Sequence, residues 1–277
     1  VVAAVVLAGA LFLRPPGLDV RDGRNDRGRN GVALDRAWIA GDAAPSALVM
    51  GEFARSMREH RIAEIFVELP PPSADGTVAG IDAARIDALL YECYDARGWA
   101  RIDVAHIPYD DPRWRRFFIV DLRRLLDRLP RLRGVMLDFS GVAEVFPAML
   151  RLLDELRPAL APDARLLGIV AGKWEEPYFR EVARRADQLV MPLEISSSPF
   201  SRFSVNASAE RIRSTLAWCE GKPVLFCIPA DKRLRRALST IHLAFSKTTA
   251  PEQYQGIILQ SPDAAAWPEL RTHFLRP

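Results

Sequence analysis

Short apolar runs alternate with amphipathic stretches from about residue 30 to the end of the chain. Most of these runs lack the strict alternation of a half-exposed strand, which favours strands buried on both faces of a parallel sheet. The predicted strands occupy residues 31–39, 64–69, 101–107, 134–139, 165–171, 188–193, 223–229 and 256–260.

The segments between these runs have the period of amphipathic helices. Ser46 is a candidate helix cap, Asp111 followed by proline begins another helix, and a helix over 81–98 is predicted to end at Gly98. Eight strands, each followed by a helix, predict an α/β protein with a (β/α)8 TIM barrel. A doubly wound open sheet is the competing fold, but it usually has fewer strands, and no glycine-rich phosphate loop follows the first strand.

The amino-terminal segment differs from the rest of the chain. Residues 1–13 carry no charge and are too short to span a bilayer alone, and residues 14–29 are rich in arginine, glycine and proline. Because the sequence begins with Val, residues 1–13 are interpreted as a partial transmembrane anchor or signal segment. A polar linker over 14–29 and a barrel domain over 30–277 then follow. A buried strand or helix is the alternative for residues 1–13. The first interpretation predicts membrane anchoring, with the barrel facing the periplasm or cell exterior.

Composition narrows the classes of partner and cofactor. The chain has 38 basic and 35 acidic residues, a net charge of +3, so no nucleic-acid partner is expected. Three cysteines without CxxC spacing and four scattered histidines predict neither a metal site nor a disulfide framework, and Cys227 is interpreted as a buried thiol. P-loop, dinucleotide and GxSxG motifs are absent from the sequence, so no cofactor is predicted.

In a (β/α)8 barrel the active site lies at the carboxyl ends of the strands. Those ends deliver acids and aromatic residues, which suit saccharides because carboxylates bind hydroxyl groups and aromatic faces stack on sugar rings. The candidate site residues are Asp35, Trp38, Glu68, His106, Tyr109, Asp138, Ser140, Lys173, Trp174, Glu175, Glu194 and Gln260. Structural roles are the alternatives: Asp35 and Glu68 pairing with a helix, His106 hydrogen-bonded at the rim, and Trp174 packing within a loop.

Several segments together resemble bacterial TIM-barrel proteins related to glycoside hydrolase family 18. They are NGVALDRAWIAG, GVMLDFSGV, AGKWEEPYFREVARRADQLVMPLE, VLFCIPA and YQGIILQ. In that family the fourth strand ends in Asp-x-Glu, where the glutamate is the general acid and the aspartate orients the N-acetyl group that acts as nucleophile. The resemblance places Asp138 at the aspartate and Ser140 at the glutamate. A serine hydroxyl cannot protonate a leaving glycosidic oxygen at neutral pH.

Three functions are open at this point. The first is a barrel that binds a polysaccharide or oligosaccharide without cleaving it, with Trp38, Tyr109 and Trp174 on the sugar and Asp138 and Glu194 accepting hydrogen bonds. The second is an active glycoside hydrolase with rearranged acids. Its candidate acids are Glu68, Asp138, Glu175 and Glu194, with Glu144 as a more distant one. The third is a structural component of an envelope polysaccharide assembly.

Overall fold

A computed structural model describes residues 23–39, 45–195, 201–246, 249–263 and 265–276. Eight parallel strands pair in chain order, and the eighth pairs with the first, so the sheet closes into a barrel. The strands are Gly31–Leu34 (β1), Glu64–Leu69 (β2), Arg97–Asp103 (β3), Leu132–Asp138 (β4), Leu166–Val170 (β5), Gln188–Pro192 (β6), Val224–Pro229 (β7) and Tyr254–Gln260 (β8). The (β/α)8 prediction is confirmed.

Eight α-helices in the described residues surround the barrel. They are Ala47–Glu59 (α1), Ala83–Glu92 (α2), Pro112–Arg128 (α3), Pro147–Leu160 (α4), Glu176–Arg185 (α5), Ser201–Trp218 (α6), Leu234–Ala244 (α7) and Ala266–His273 (α8). Two predicted caps are present: the Ser46 hydroxyl accepts a hydrogen bond from the Val49 amide, and the Asp111 carboxylate accepts one from the Arg113 amide. These bonds satisfy amides that the first turn of a helix leaves free.

Alternate residues of each strand point into the barrel, as the two-residue period of a strand requires. One buried cluster fills the interior with apolar side chains and one thiol, separately from the larger core between strands and helices. Its members are Ala33, Phe66, Trp99, Met136, Val170, Val190, Leu225, Cys227 and Ile258. The strands therefore have buried residues on both faces, which explains why their sequences read as continuous apolar runs.

Strand β3 begins four residues before its predicted start, and this part of the prediction was wrong. Helix α2 ends at Glu92, and Gly98 lies inside β3. A Cβ atom on Gly98 would lie 2.7 Å from Cδ2 of Leu90, so this glycine lets α2 pack closely on the strand. As a consequence, residues 104–110 form a loop after β3.

Strand β1 is also shorter than predicted, because it ends at Leu34. The Asp35 carboxylate accepts a hydrogen bond from the Ala37 amide at 3.0 Å and caps a single 3-10 turn over Arg36–Trp38. Trp38 therefore lies outside the strand, where its ring packs on Phe53 with centroids 4.6 Å apart.

Residues 23–30 pack against the base of the barrel, where the strands begin. Asn30 is 1% exposed, its backbone carbonyl accepts hydrogen bonds from the Ala63 and Glu64 amides, and its side-chain oxygen accepts one from the Ile257 amide. Asp26 accepts bonds from the Asn30 side chain and from the Arg276 amide near the carboxyl terminus. The folded domain therefore includes residues 23–29, which the sequence assigned to the linker.

The predicted anchor segment, residues 1–13, lies outside the described residues. Within the residues that the structure describes, no helix is both long enough and apolar enough to cross a membrane.

Candidate functional site

The carboxyl ends of the strands enclose a small cavity, the mouth pocket, of about 100 Å³. Its floor is the top of the interior cluster, including Phe66, Met136 and Ile258. Polar groups on its wall come from Arg101 on β3, Ser140 after β4, and Gln260 at the end of β8. An apolar floor with a few polar groups above it is the usual composition of a ligand site.

Arg101 and Asp138 form an ion pair beside this pocket. The Arg101 Nε and Nη2 atoms both donate to Asp138 Oδ2, at 2.9 and 2.5 Å, while Asp138 Oδ1 accepts from the Ser140 amide at 2.8 Å. The side chains are only 17% and 9% exposed. Burial lowers the pKa of Arg101, but the charge and hydrogen bonds of Asp138, together with Cys227 and Glu68, outweigh this effect, so the pKa of Arg101 is raised.

Asp138 lies behind Arg101 and does not itself line the mouth pocket. Arg101 lines the cavity, and its Nη1 atom makes no hydrogen bond to any described residue. A fixed guanidinium with a free nitrogen can donate to an oxygen of a ligand. In this arrangement Asp138 orients Arg101.

A larger open cavity, the mouth groove, adjoins the pocket and has a volume of about 500 Å³. The two share Ser140 and Pro192, and the groove extends over residues 141–143 to Lys173 and Glu194. This volume lies within the usual range for ligand sites. The pocket and the groove together form the candidate binding site.

Two other candidate acids, Glu68 and Glu194, are paired with basic residues. Glu68 accepts a hydrogen bond from Arg36 Nε at 3.1 Å, and its side chain is 29% exposed. Glu194 Oε2 lies 2.5 Å from Lys173 Nζ, and the two side chains are 70% and 72% exposed. Among the described residues that line the pocket and the groove, Glu194 supplies the carboxylate.

The three aromatic residues expected to contact sugar are packed within the protein shell. Trp174 is 2% exposed and its indole nitrogen donates to the Val142 carbonyl at 2.9 Å. Tyr109 is buried, its hydroxyl donates to the Val104 carbonyl, and desolvation raises the pKa of that hydroxyl. Trp38 packs on Phe53. Trp174 and Tyr109 are therefore buried, and Trp38 is half-buried.

The remaining candidates lie around the rim. His106 is exposed in the loop after β3, and Asp35 caps its 3-10 turn and accepts a hydrogen bond from the Ser261 hydroxyl at 3.3 Å. Glu175 precedes α5, and Glu144 is exposed in the loop between β4 and α4. Neither Glu175 nor Glu144 lines the pocket or the groove.

Arg101 is the main site residue that sequence reasoning missed. It was placed at the first position of a strand predicted to begin at residue 101, at the wrong end of the barrel. The alternation of Trp99, Arg101 and Asp103 within β3 is the signal that locates it. Cys227 also reaches the pocket, where burial raises the pKa of its thiol to about 11.

In the part of the chain that the structure describes, no three His, Cys, Asp or Glu side chains are placed so that they could hold a metal ion.

Comparison with known proteins gives a structural likeness. No protein-family model and no curated protein matches the chain. The spore cortex-lytic enzyme SleL of Bacillus megaterium QM B1551 has a TM-score of 0.60 at 10% identity, with 95% of this chain and 77% of that chain covered. The chitinase ChiB of Flavobacterium johnsoniae, from glycoside hydrolase family 18, has a TM-score of 0.56 at 13% identity, with 84% of this chain and 87% of that chain covered. The endo-1,4-beta-mannanase of Rhizomucor miehei has a TM-score of 0.60 at 10% identity, with 88% of this chain and 93% of that chain covered. The chain therefore has a glycoside hydrolase-like barrel fold.

Proposed function

We propose that the barrel mouth binds a polysaccharide and leaves its glycosidic bonds intact. The observation that carries this proposal is the state of Asp138, which lies behind Arg101 as its ion-pair partner, with Ser140 two residues further on. The family pattern requires a glutamate at the position of Ser140.

Hydrolysis of a glycoside commonly requires two carboxyl groups on opposite sides of the bond, one of which donates a proton. The Asp138 carboxylate is occupied by hydrogen bonds from Arg101 and from the Ser140 amide, and it does not line the pocket. Of the described residues that line the pocket and the groove, only Glu194 brings a carboxylate, and Lys173 lies against it. Within the described residues, this arrangement provides no pair of acids across the pocket.

Binding a sugar requires only hydrogen-bonding groups in a pocket, and the mouth has such groups. Arg101, Ser140 and Gln260 line the pocket, and no hydrogen bond joins Arg101 Nη1, the Ser140 hydroxyl or the Gln260 side-chain amide to a described residue. Such donors and acceptors suit the hydroxyl and carbonyl groups of a sugar. The structural neighbours are a spore cortex-lytic enzyme, a chitinase and an endo-1,4-beta-mannanase, which supports a polysaccharide as the ligand class.

Blocking the pocket tests this proposal. Ser140→Trp places a large ring where the pocket meets the groove, and Glu144→Trp places the same ring on the same loop outside both. Binding is measured by titration calorimetry with hexamers of N-acetylglucosamine, β-1,4-linked mannose and β-1,4-linked glucose. We expect a hexamer that binds the parent to lose at least about tenfold in affinity with Ser140→Trp, a change of about 1.4 kcal/mol. Equal affinity for both variants would contradict a site at the mouth.

We also propose that the barrel is held outside the cytoplasm by its amino-terminal segment. Residues 23–30 enter the domain at the base, which is the end opposite the mouth. A tether at that end would leave the mouth directed away from the membrane. Protease digestion of intact cells that make the full chain tests this location: digestion from outside supports it, and protection until lysis contradicts it.

A further inference from the structure

Phe146 is an exposed aromatic residue on the loop between β4 and α4, at the same end of the barrel as the mouth. Its relative exposure is 48%. It lies directly before Pro147, the first residue of α4, and has the extended backbone that a following proline favours, with φ −96° and ψ 149°. The proline and the helix thus fix the backbone from which this ring projects.

Phe146 borders a separate cavity, the rim groove, of about 610 Å³. The opposite wall is the loop after β3, with Pro108, Tyr109 and Asp110. Tyr109 is held rigidly, because its ring packs near Phe139 and its hydroxyl bonds to the Val104 carbonyl. The side of the groove formed by the loop after β3 is therefore rigid at Tyr109.

Two charged groups flank the aromatic ring in this groove. Asp110 Oδ1 and Arg151 Nη2 are 3.6 Å apart, and the two side chains are 93% and 55% exposed. An exposed pair at this distance is weak, so both groups can form hydrogen bonds with a ligand. An aromatic ring beside a carboxylate and a guanidinium can receive the C–H face of a sugar while its hydroxyl groups are bound at the sides.

The rim groove and the mouth groove lie along one loop. Residues 140–143 line the mouth groove, and Phe146 follows them on the rim groove. Between the two, the loops after β3 and β4 are in contact, since a Cβ atom on Gly141 would lie 3.2 Å from Cβ of Ala105. A sugar chain that leaves the mouth groove over this loop reaches Phe146.

We propose that the rim groove is an outer subsite for the same polysaccharide, with Phe146 stacking on a sugar unit outside the mouth. This inference rests on the proposed function. It names as ligand a chain of several sugar units, because a short oligosaccharide in the mouth does not extend to the rim.

Chain length provides the test. Affinities of the dimer and the hexamer of each of the three sugars above are measured for the parent, Phe146→Ala and Phe117→Ala. Phe117 is a matched control, being 60% exposed on the outer side of α3 and outside all three cavities. We expect Phe146→Ala to lower the affinity for the hexamer roughly fivefold, the size of one aromatic contact, and to leave the affinity for the dimer unchanged. Phe117→Ala should leave both affinities unchanged.

Two further variants distinguish a loss of binding from a folding defect. Phe146→Tyr keeps the ring and should keep hexamer affinity, whereas Arg151→Ala, on α4, should lower it with the melting temperature unchanged. Hexamer binding that is equal in the parent and Phe146→Ala overturns the rim subsite and leaves the proposed function standing. A loss that is equal for dimer and hexamer also overturns it, because Phe146 would then act on the mouth. Failure of every oligosaccharide to bind the parent overturns both proposals.

Discussion

Arg101 and Asp138 show how a single contact defines the candidate site at the scale of residues. The carboxylate receives two bonds from the guanidinium and one from the Ser140 amide, so both charges are held with little exposure. A buried charge that loses its partner is costly, whereas replacing both members of a pair by apolar groups is often neutral. The pair therefore constrains the mouth more strongly than it stabilises the protein.

This asymmetry predicts the behaviour of two variants. Asp138→Ala leaves the Arg101 guanidinium without its partner and should lower the free energy of unfolding by about 3 kcal/mol. Combining Asp138→Ala with Arg101→Met removes both charges and should recover most of that loss. Urea denaturation measures both values. A double variant that is less stable than Asp138→Ala would contradict this account of the pair.

Glu64 is a second charged residue that is buried in the fold, and it lies at the base of the barrel interior. Its carboxylate accepts from Gln188 Nε2 at 2.8 Å and lies 3.1 Å from Arg97 Nη2. Desolvation by burial raises the pKa of Glu64, and this effect outweighs the opposing hydrogen bond from Gln188 and the charges of Arg97 and Arg133.

Glu64 should therefore make stability depend on pH. A carboxyl group with a raised folded pKa contributes most below its unfolded value of 4.5, and this contribution is lost as pH rises through the folded pKa. Glu64→Gln does not titrate, so its unfolding free energy relative to the parent should be higher at about pH 7 than at about pH 4. Urea denaturation at both pH values checks this expectation. A relative stability that falls between pH 4 and pH 7 would show that the ionised form is favoured in the fold.

At the scale of elements, a tie between two loops shapes the mouth groove. The Trp174 indole, after β5, donates to the Val142 carbonyl, after β4. Gly172 lies against this bond: a Cβ atom there would be 2.6 Å from the Val142 oxygen and 2.7 Å from Trp174 Nε1. Only a residue without a side chain fits at this position, and the sequence alone gives no sign of it.

A methyl group at Gly172 should break the tie. Gly172→Ala is expected to lower the free energy of unfolding by about 1–3 kcal/mol, because it overpacks the loop and displaces a buried hydrogen bond. Gly51→Ala is the matched control. Gly51 lies inside α1 with nothing within 4 Å of an added Cβ atom, so the same methyl group should stabilise the helix by about 0.5–1 kcal/mol. A neutral Gly172→Ala in thermal denaturation would contradict the role of the tie.

The number and order of the elements could be predicted from the sequence because each strand is buried on both faces and each helix is amphipathic. The start of β3 could not be predicted, because glycine is typical both of the end of a helix and of a place where a helix packs closely on a strand. The sequence does not distinguish these two roles for Gly98. That error placed Arg101 at the start of the strand and His106 within it, whereas the structure has Arg101 near the end of β3 and His106 in the loop that follows. The packing of Trp174 was equally hidden, since it depends on a carbonyl 32 residues away in the chain.

At the scale of the whole molecule, the two ends of the domain meet at the base of the barrel. The Asp26 carboxylate bonds to the Arg276 amide, and Asn25 lies 2.8 Å from Nδ1 of the buried His242. Asn30 joins this segment to the first residues of β2 and to β8. Residues 23–30 therefore close the barrel where its first and last strands pair.

This closure predicts the extent of the stable domain. A chain that begins at Gly23 should unfold cooperatively, and one that begins at Gly31 should melt at a clearly lower temperature because the amides of Ala63, Glu64 and Ile257 lose their partners. Differential scanning calorimetry compares the two. Equal melting temperatures would show that residues 23–30 belong to the linker.

The barrel as a whole shares its fold with glycoside hydrolases of known structure, and at its mouth Asp138 is paired with Arg101. The resemblance seen in the sequence predicted the barrel fold, which the structure confirms, whereas the match of Ser140 to the acid position stays a prediction. The role of Asp138 could not be anticipated, because it depends on Arg101, which lies 37 residues earlier in the chain.

The central claim is that the mouth retains a polysaccharide without cleaving it. The most direct measurement follows retention on chitin, mannan and cellulose together with the release of reducing ends, in the same samples, for the parent protein and Asp138→Asn. Retention of the parent on at least one polysaccharide, with no release of reducing ends, is the predicted result. Release of reducing ends that disappears in Asp138→Asn would contradict the claim and identify an active hydrolase.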